Sequence, residues 1–170
     1  MESVIDSEKV DETFDTAFCE VTKKLVNLEL QRVAEEDRIT AEKEVILEKG
    51  YREEIETQGH INSRIVCHFS DELYRYITDT MNNGVTPSEE EIHLFLNEYI
   101  NITCGHAISS LNNLTGKRSR LTIPKFYRND DQLELTNLDE EGRYLVYRST
   151  TGMLHVFLFY SLQTDQEEGR

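Results

Sequence analysis

The apolar residues of this chain change their spacing along its length, and that change decides what the chain can fold into. Within residues 10–35, Phe14, Phe18, Val21, Leu25 and Leu28 recur at steps of three and four, which places them on one face of an amphipathic helix. Ala34 to Glu44 is highly charged and either extends that helix or forms a solvated connection. Val45-Ile46-Leu47 then starts a short strand, and Gly50 and Gly59 punctuate it and its neighbour. From Ile61 to Phe69 the step becomes two. Ile61, Ile65, Cys67 and Phe69 point one way and Asn62, Arg64 and His68 the other, the pattern of a half-buried strand.

Ser70 reads as an N-cap with Asp71 and Glu72 in the first turn of a helix striped by Leu73, Ile77 and Met81. Asn82-Asn83-Gly84 ends it. Thr86-Pro87-Ser88-Glu89-Glu90-Glu91 starts a second, longer helix that runs to about Leu114, with Asn112-Asn113 and Gly116 as stop signals. Strands follow. Arg120 to Tyr127 alternates around Pro124, and Tyr144 to Ser149 joins Met153 to Leu162 through the turn Thr150-Thr151-Gly152. The order of helix, strands, two helices and strands predicts an α+β fold, an antiparallel sheet covered by helices.

One domain is expected over residues 1–170. Residues 1–44 supply the N-terminal helix and charged segment, 45–162 the core, and 163–170 a polar, frayed tail. A chain of this size buries about 70% of its unfolded surface, so folding needs neither metal nor disulfide. Eighteen basic against 33 acidic side chains give a net charge of −15, which opposes binding to nucleic acid or to an anionic membrane. The first residues, Met1-Glu2-Ser3-Val4-Ile5-Asp6, are acidic and do not read as a signal peptide. Met153 to Leu162 is too short to span a bilayer as a helix. Three scattered cysteines, Cys19, Cys67 and Cys104, suit free thiols in a reducing compartment, so a cytoplasmic location is expected.

The long helix carries the chemistry. At about 100° per residue, Ile92, Leu96, Tyr99, Thr103, Ala107, Leu111 and Leu114 share the face that packs on the sheet. Glu98, Asn101 and Gly105 fall roughly opposite, one turn apart. Gly105 costs about 1 kcal/mol in a helix interior relative to alanine, and its missing side chain lets another group come close. Leu94, Ile102 and Ile108 project on the same outer half, the apolar surround that a docking surface needs. The Asn101 amide both accepts and donates hydrogen bonds, so it can hold a water in line, although it is too weak a base to take its proton.

Other constellations carry less. Cys67-His68 and Cys104 with His106 lack zinc-site spacing, and in a strand Cys67 and His68 face opposite sides, so no metal site is expected. Nothing places a base beside Cys104. Lys117-Arg118-Ser119-Arg120 is the basic cluster, a solvated loop or the rim of a partner site. There is no glycine-rich phosphate loop.

Glu98-Tyr99-Ile100-Asn101, followed after 22 residues by Pro124, resembles the Glu-x2-Asn-x22-Pro signature of the CheC/CheX/FliY chemotaxis phosphatases. The run from Glu98 to Ala107, with Gly105, is similar to that family's helix, and the element order over residues 45–162 is similar too. A single copy of the motif makes the chain look more like CheX than CheC. It departs from the family at Leu94, where Asp or Ser often stands.

The resemblance implies hydrolysis of the aspartyl phosphate of a CheY-like response regulator. In that scheme Asn101 orients the water and Glu98 pairs with the receiver's lysine. Leu94, Ile102, Gly105 and Ile108 would surround the contact. The implied Mg2+ belongs to the partner receiver, Pro124 shapes a strand end, and the protein is expected to be a homodimer through its sheets. A non-catalytic receiver-binding or flagellar-switch-like adaptor is the alternative, and an unrelated small-molecule domain a third.

Overall fold

The structure, a computed structural model, describes residues 6–33, 50–128 and 141–162. Helix α1 spans Ser7–Val26, α2 Asp71–Met81 and α3 Ile92–Thr115. The strands are β1 (Gln31–Arg32), β2 (Gly50–Gly59), β3 (Ile61–Ser70), β4 (Ser119–Leu121), β5 (Lys125–Tyr127), β6 (Glu141–Ser149) and β7 (Gly152–Leu162). They form one antiparallel sheet in the order β1-β6-β7-β3-β2-β4, with β5 also paired to β2. The fold is α+β, as the periodicity predicts. The expected strand at Val45-Ile46-Leu47, the charged stretch from Ala34 to Glu44 and the tail from residue 163 lie outside the described residues.

The helices cover one face of the sheet. Phe14, Ala17 and Phe18 of α1, Leu73 and Ile77 of α2, and Leu96, Tyr99 and Leu111 of α3 meet Ile55, Ile65, Phe69, Tyr147, Val156 and Leu158 of the strands in one buried cluster. Polar ties fix α1 on this face. Asp11 pairs with Arg143 at 2.9 Å, and Asp15 accepts a 2.6 Å hydrogen bond from the Tyr147 hydroxyl. Among the described residues no helix is long and apolar enough to cross a membrane.

Three expectations change. The first helix ends at Val26 rather than near residue 35, because Asn27 turns into the left-handed region (φ 53°) and returns its N–H to the carbonyl of Lys23. Leu28 is buried but sits beyond the helix. The far face of β3 is not a solvent face. His68 is buried there opposite His155, among Val66, Val146, Phe157 and Phe159. The three glutamates before α3 lie in a turn closed by Glu91 N–H donating to Ser88 O, so the first turn of α3 itself holds no acid.

Ser70 caps α2 as predicted and does more. Its Oγ accepts from the N–H of Leu73 (3.4 Å) and from that of Met153 (3.0 Å), which ties α2 to the β6–β7 hairpin. The turn brings Gly152 against it. At φ +112° a Cβ there would meet Ser70 Oγ at 2.3 Å, so only glycine fits. Ser70→Ala is expected to destabilise the fold by about 1–3 kcal/mol, since one buried and one half-buried N–H donor lose their acceptor. Urea unfolding measures this, and a midpoint unchanged from wild type would refute the double role.

Candidate functional site

Helix α3 has 24 residues and is roughly 36 Å long. Gly116 ends it with a left-handed cap, and Asn112 fixes the exit by bonding both the N–H and the carbonyl of Ser119. Both flanks of the helix are tied down. On one, Tyr99 shares a 2.6 Å hydroxyl–hydroxyl hydrogen bond with Thr22 of α1. On the other, the Asn97 side-chain amide lies 2.6 and 2.9 Å from the two carboxyl oxygens of Glu53 on β2 and 3.1 Å from the carbonyl of His93. Glu53 is fully buried, and desolvation pushes its carboxyl up to about 9. At neutral pH it is therefore a protonated, uncharged group.

Between these two anchors the outer face of α3 stands clear. Glu98 and Asn101 are both exposed, and their i, i+3 spacing points them side by side from the same surface. Among the described residues neither has a side-chain hydrogen bond or ion pair. Leu94 (56% exposed) and Ile102 (40%) flank the pair, one turn to either side of Glu98.

Two other assignments on this helix are corrected. Ile108, placed on the outer half by the helical wheel, is only 4% exposed and belongs to the core, because the buried face of α3 is wider than the wheel suggests and takes in Ile100, Cys104 and Ile108 beside Tyr99, Thr103 and Ala107. Leu114, assigned to the packed face, is 42% exposed, since the helix there passes beyond the core and Thr115 takes the inward position. Gly105 lies under Leu121 of β4. A Cβ on it would meet Leu121 Cδ1 at 3.8 Å, ordinary contact, so the chain's own packing does not demand a glycine there.

Pro124 occupies a break in the sheet edge. Thr57 pairs with Leu121 and Glu56 with Thr122, but Glu54 pairs with Lys125. Ile123 and Pro124 therefore stand together opposite Ile55, a bulge between β4 and β5. Proline, which has no N–H to donate, suits an edge bulge of this kind. Cys67 packs toward the helices while His68 faces the other side of the sheet. The Cys104 thiol is fully buried and desolvation pushes it up to about 12, which leaves it unsuited to act as a nucleophile. The residue that sequence reasoning missed is Glu53. A glutamate in a strand bounded by glycines reads as a surface residue. Its one available signal was its place in step with Ile55 and Thr57.

The sequence pattern of the family described as chemotaxis phosphatase CheX matches residues 54–147, more than half of the chain. The chain belongs to the CheX family. The match takes in β3, both α2 and α3, and the Glu98–Pro124 motif. The fold is similar to that of CheX from Desulfovibrio desulfuricans (TM-score 0.76, 14% identity, 90% of this chain and 99% of that one). It is similar to a CheC-like superfamily protein from Shewanella sp. PV-4 (TM-score 0.77, 17% identity, 92% and 99%). It is also similar to a chain in the CheX–CheY–BeF3–Mg2+ complex from Borrelia burgdorferi (TM-score 0.67, 16% identity, 89% and 97%). No curated protein matches the sequence. At these identities the structures speak for the CheX fold.

Proposed function

We propose that this chain hydrolyses the aspartyl phosphate of a CheY-like receiver, with α3 laid across the receiver's phosphorylation site. The observation that carries this is the exposed Glu98–Asn101 pair on a helix held along both flanks. Phosphoryl transfer from an acyl phosphate asks little covalent help of a protein. It needs a water in line with the breaking P–O bond and compensation for spread-out negative charge. The Asn101 carboxamide can hold that water, its oxygen accepting a hydrogen bond from a water O–H and its N–H donating to the water oxygen. The water oxygen bonds to phosphorus, the acyl P–O bond breaks, and aspartate and inorganic phosphate leave. Glu98 pairs with the receiver's lysine and fixes the pose. The Mg2+ and the phosphoaspartate come with the receiver.

The Borrelia complex is the support from outside this chain. It joins a CheX to CheY with BeF3 and Mg2+, and beryllium trifluoride on a carboxylate has the shape and charge of a phosphoryl group. A homodimer, also implied by the resemblance, belongs to the same proposal and is measured by sedimentation.

The second reading is an adaptor that binds receivers without hydrolysis. Leu94 favours it, an exposed apolar side chain where the family often has Asp or Ser. Phosphate release from a phosphorylated CheY-like receiver separates the two. Acceleration by the wild type and its loss in Asn101→Ala, with binding retained, supports the enzyme. Binding with no acceleration by the wild type supports the adaptor.

Gly105→Ala tests whether the partner is what needs the glycine. The fold is expected to gain up to about 1 kcal/mol in helix propensity, because the new methyl has room against Leu121. Receiver binding is expected to weaken about tenfold if a partner backbone lies against this position. A variant that is both more stable and equally active would remove Gly105 from the docking surface.

A further inference from the structure

Five large apolar side chains are exposed among the described residues, and Ile123, at 85%, is the most exposed of them. It sits at the sheet edge, in the bulge between β4 and β5, where exposed positions are commonly charged or polar to discourage further pairing. Single exposed apolar residues need no explanation. This one has a defined place. The bulge opposite Ile55 puts Ile123 between Leu121 and Phe126, and both of those face α3. A Cβ on Gly105 would lie 3.8 Å from Leu121, and the His93 ring lies 6.1 Å from that of Phe126. His93, Asn97, Asn101 and Gly105 are spaced one turn apart along this flank of the helix, so the bulge runs level with Asn97 and Asn101.

Leu94 and Ile102, two more of the five exposed large apolar residues, stand one turn to either side of Glu98 on the helix itself. Leu94 and Ile102 lie along the helix crest, and the bulge that carries Ile123 runs along the β4–β5 side of α3. The hydrogen bonds that frame the bulge, Thr122 N–H to Glu56 O and Glu56 N–H to Thr122 Oγ1, hold its backbone in place, so little freedom is lost when a partner covers it.

We propose that Ile123 is a docking residue for the receiver, an apolar lip on the β4–β5 side of α3 that sets affinity. This rests on the function proposed above for Glu98 and Asn101. A receiver is the occupant because the lip is continuous with the surface that must meet the phosphoaspartate.

The test is steady-state phosphate release from a phosphorylated CheY-like receiver, together with titration of the same receiver loaded with BeF3 and Mg2+, using the full chain. Ile123→Asp is expected to raise KM and the BeF3-receiver Kd about tenfold or more, with kcat within twofold of wild type. Ile123→Ala should fall between them. Leu114→Asp, on the same helix but about 20 Å from Asn101, is the control and should leave both constants unchanged. Because Ile123 is so exposed, neither Ile123 variant should disturb the fold, and thermal melts check this.

Wild-type KM and Kd in Ile123→Asp would overturn the proposal while leaving the phosphatase reading intact. So would a lowered kcat at unchanged KM. A change in oligomer mass by sedimentation with unchanged KM would reassign the lip to a contact between copies of this chain. A wild type that neither binds nor dephosphorylates the receiver would instead overturn the function on which the inference stands.

Discussion

Asn101→Ala is expected to lower kcat for phosphate release at least about 100-fold while leaving the fold and receiver affinity nearly untouched. The size follows from the role. A single preorganised polar group acting on the reacting atoms is worth about 10²–10³ in rate, and here the amide is asked to supply the in-line geometry of the water. The selectivity follows from the structure. Asn101 is exposed and bonds to no other side chain among the described residues, so its loss removes no internal contact. Surface changes of that kind stay within about 0.5 kcal/mol. Single-turnover phosphate release at saturating receiver, beside a urea melt, reads both quantities. Turnover within threefold of wild type would sink the assignment of the water to Asn101. Glu98→Gln should behave differently, raising KM through the lost charge pair with a smaller effect on kcat.

Glu53→Gln is expected to make the protein more stable at alkaline pH and to flatten its stability profile. In the unfolded chain this carboxyl titrates near its ordinary 4.5, and in the fold burial pushes it to about 9. Between those values the folded chain holds a proton that the unfolded chain has lost. Stability associated with Glu53 is therefore complete below about 4.5 and drains away as pH rises toward 9, by about 1.4 kcal/mol per pH unit. Glutamine has no proton to lose and, with both a carbonyl oxygen and an N–H, can still hydrogen-bond the Asn97 amide. The variant's advantage over wild type should grow on the order of 3 kcal/mol between pH 5.5 and pH 8. Urea midpoints of both proteins at the two pH values measure it. Parallel profiles would mean that Glu53 is ionised in the fold and that some other group compensates its charge.

Local signals carried a good part of this structure. Ser70 announces a cap, Thr150-Thr151-Gly152 a hairpin and Gly116 a helix end, because each is chemistry settled within a few residues. The outward pointing of Glu98 and Asn101 follows from helix geometry and from the broad apolar face behind them. What the sequence hid depends on neighbours far away in the chain. Ile108 lies on the border of the wheel, and only tertiary packing decides that it is covered. His68 alternates with core residues as a solvent-facing side chain would, yet the far face of the sheet is buried too. The bulge needs the register of β4 and β5 against β2, which no local pattern in Arg120 to Tyr127 reveals. Glu53 looks like one more acid in an acidic chain, and its burial is legible only once Asn97 stands above it.

The hydroxyl bond between Tyr99 and Thr22 and the amide contact between Asn97 and Glu53 grip α3 from opposite sides. A rod clamped in this way cannot roll about its own axis. Its outward side chains then keep one azimuth whether or not anything is bound, and the entropy of aligning them is spent during folding rather than at each encounter. Control over such a surface falls to whatever can reach it, so the timing of the reaction would lie in the approach and phosphorylation of the other protein.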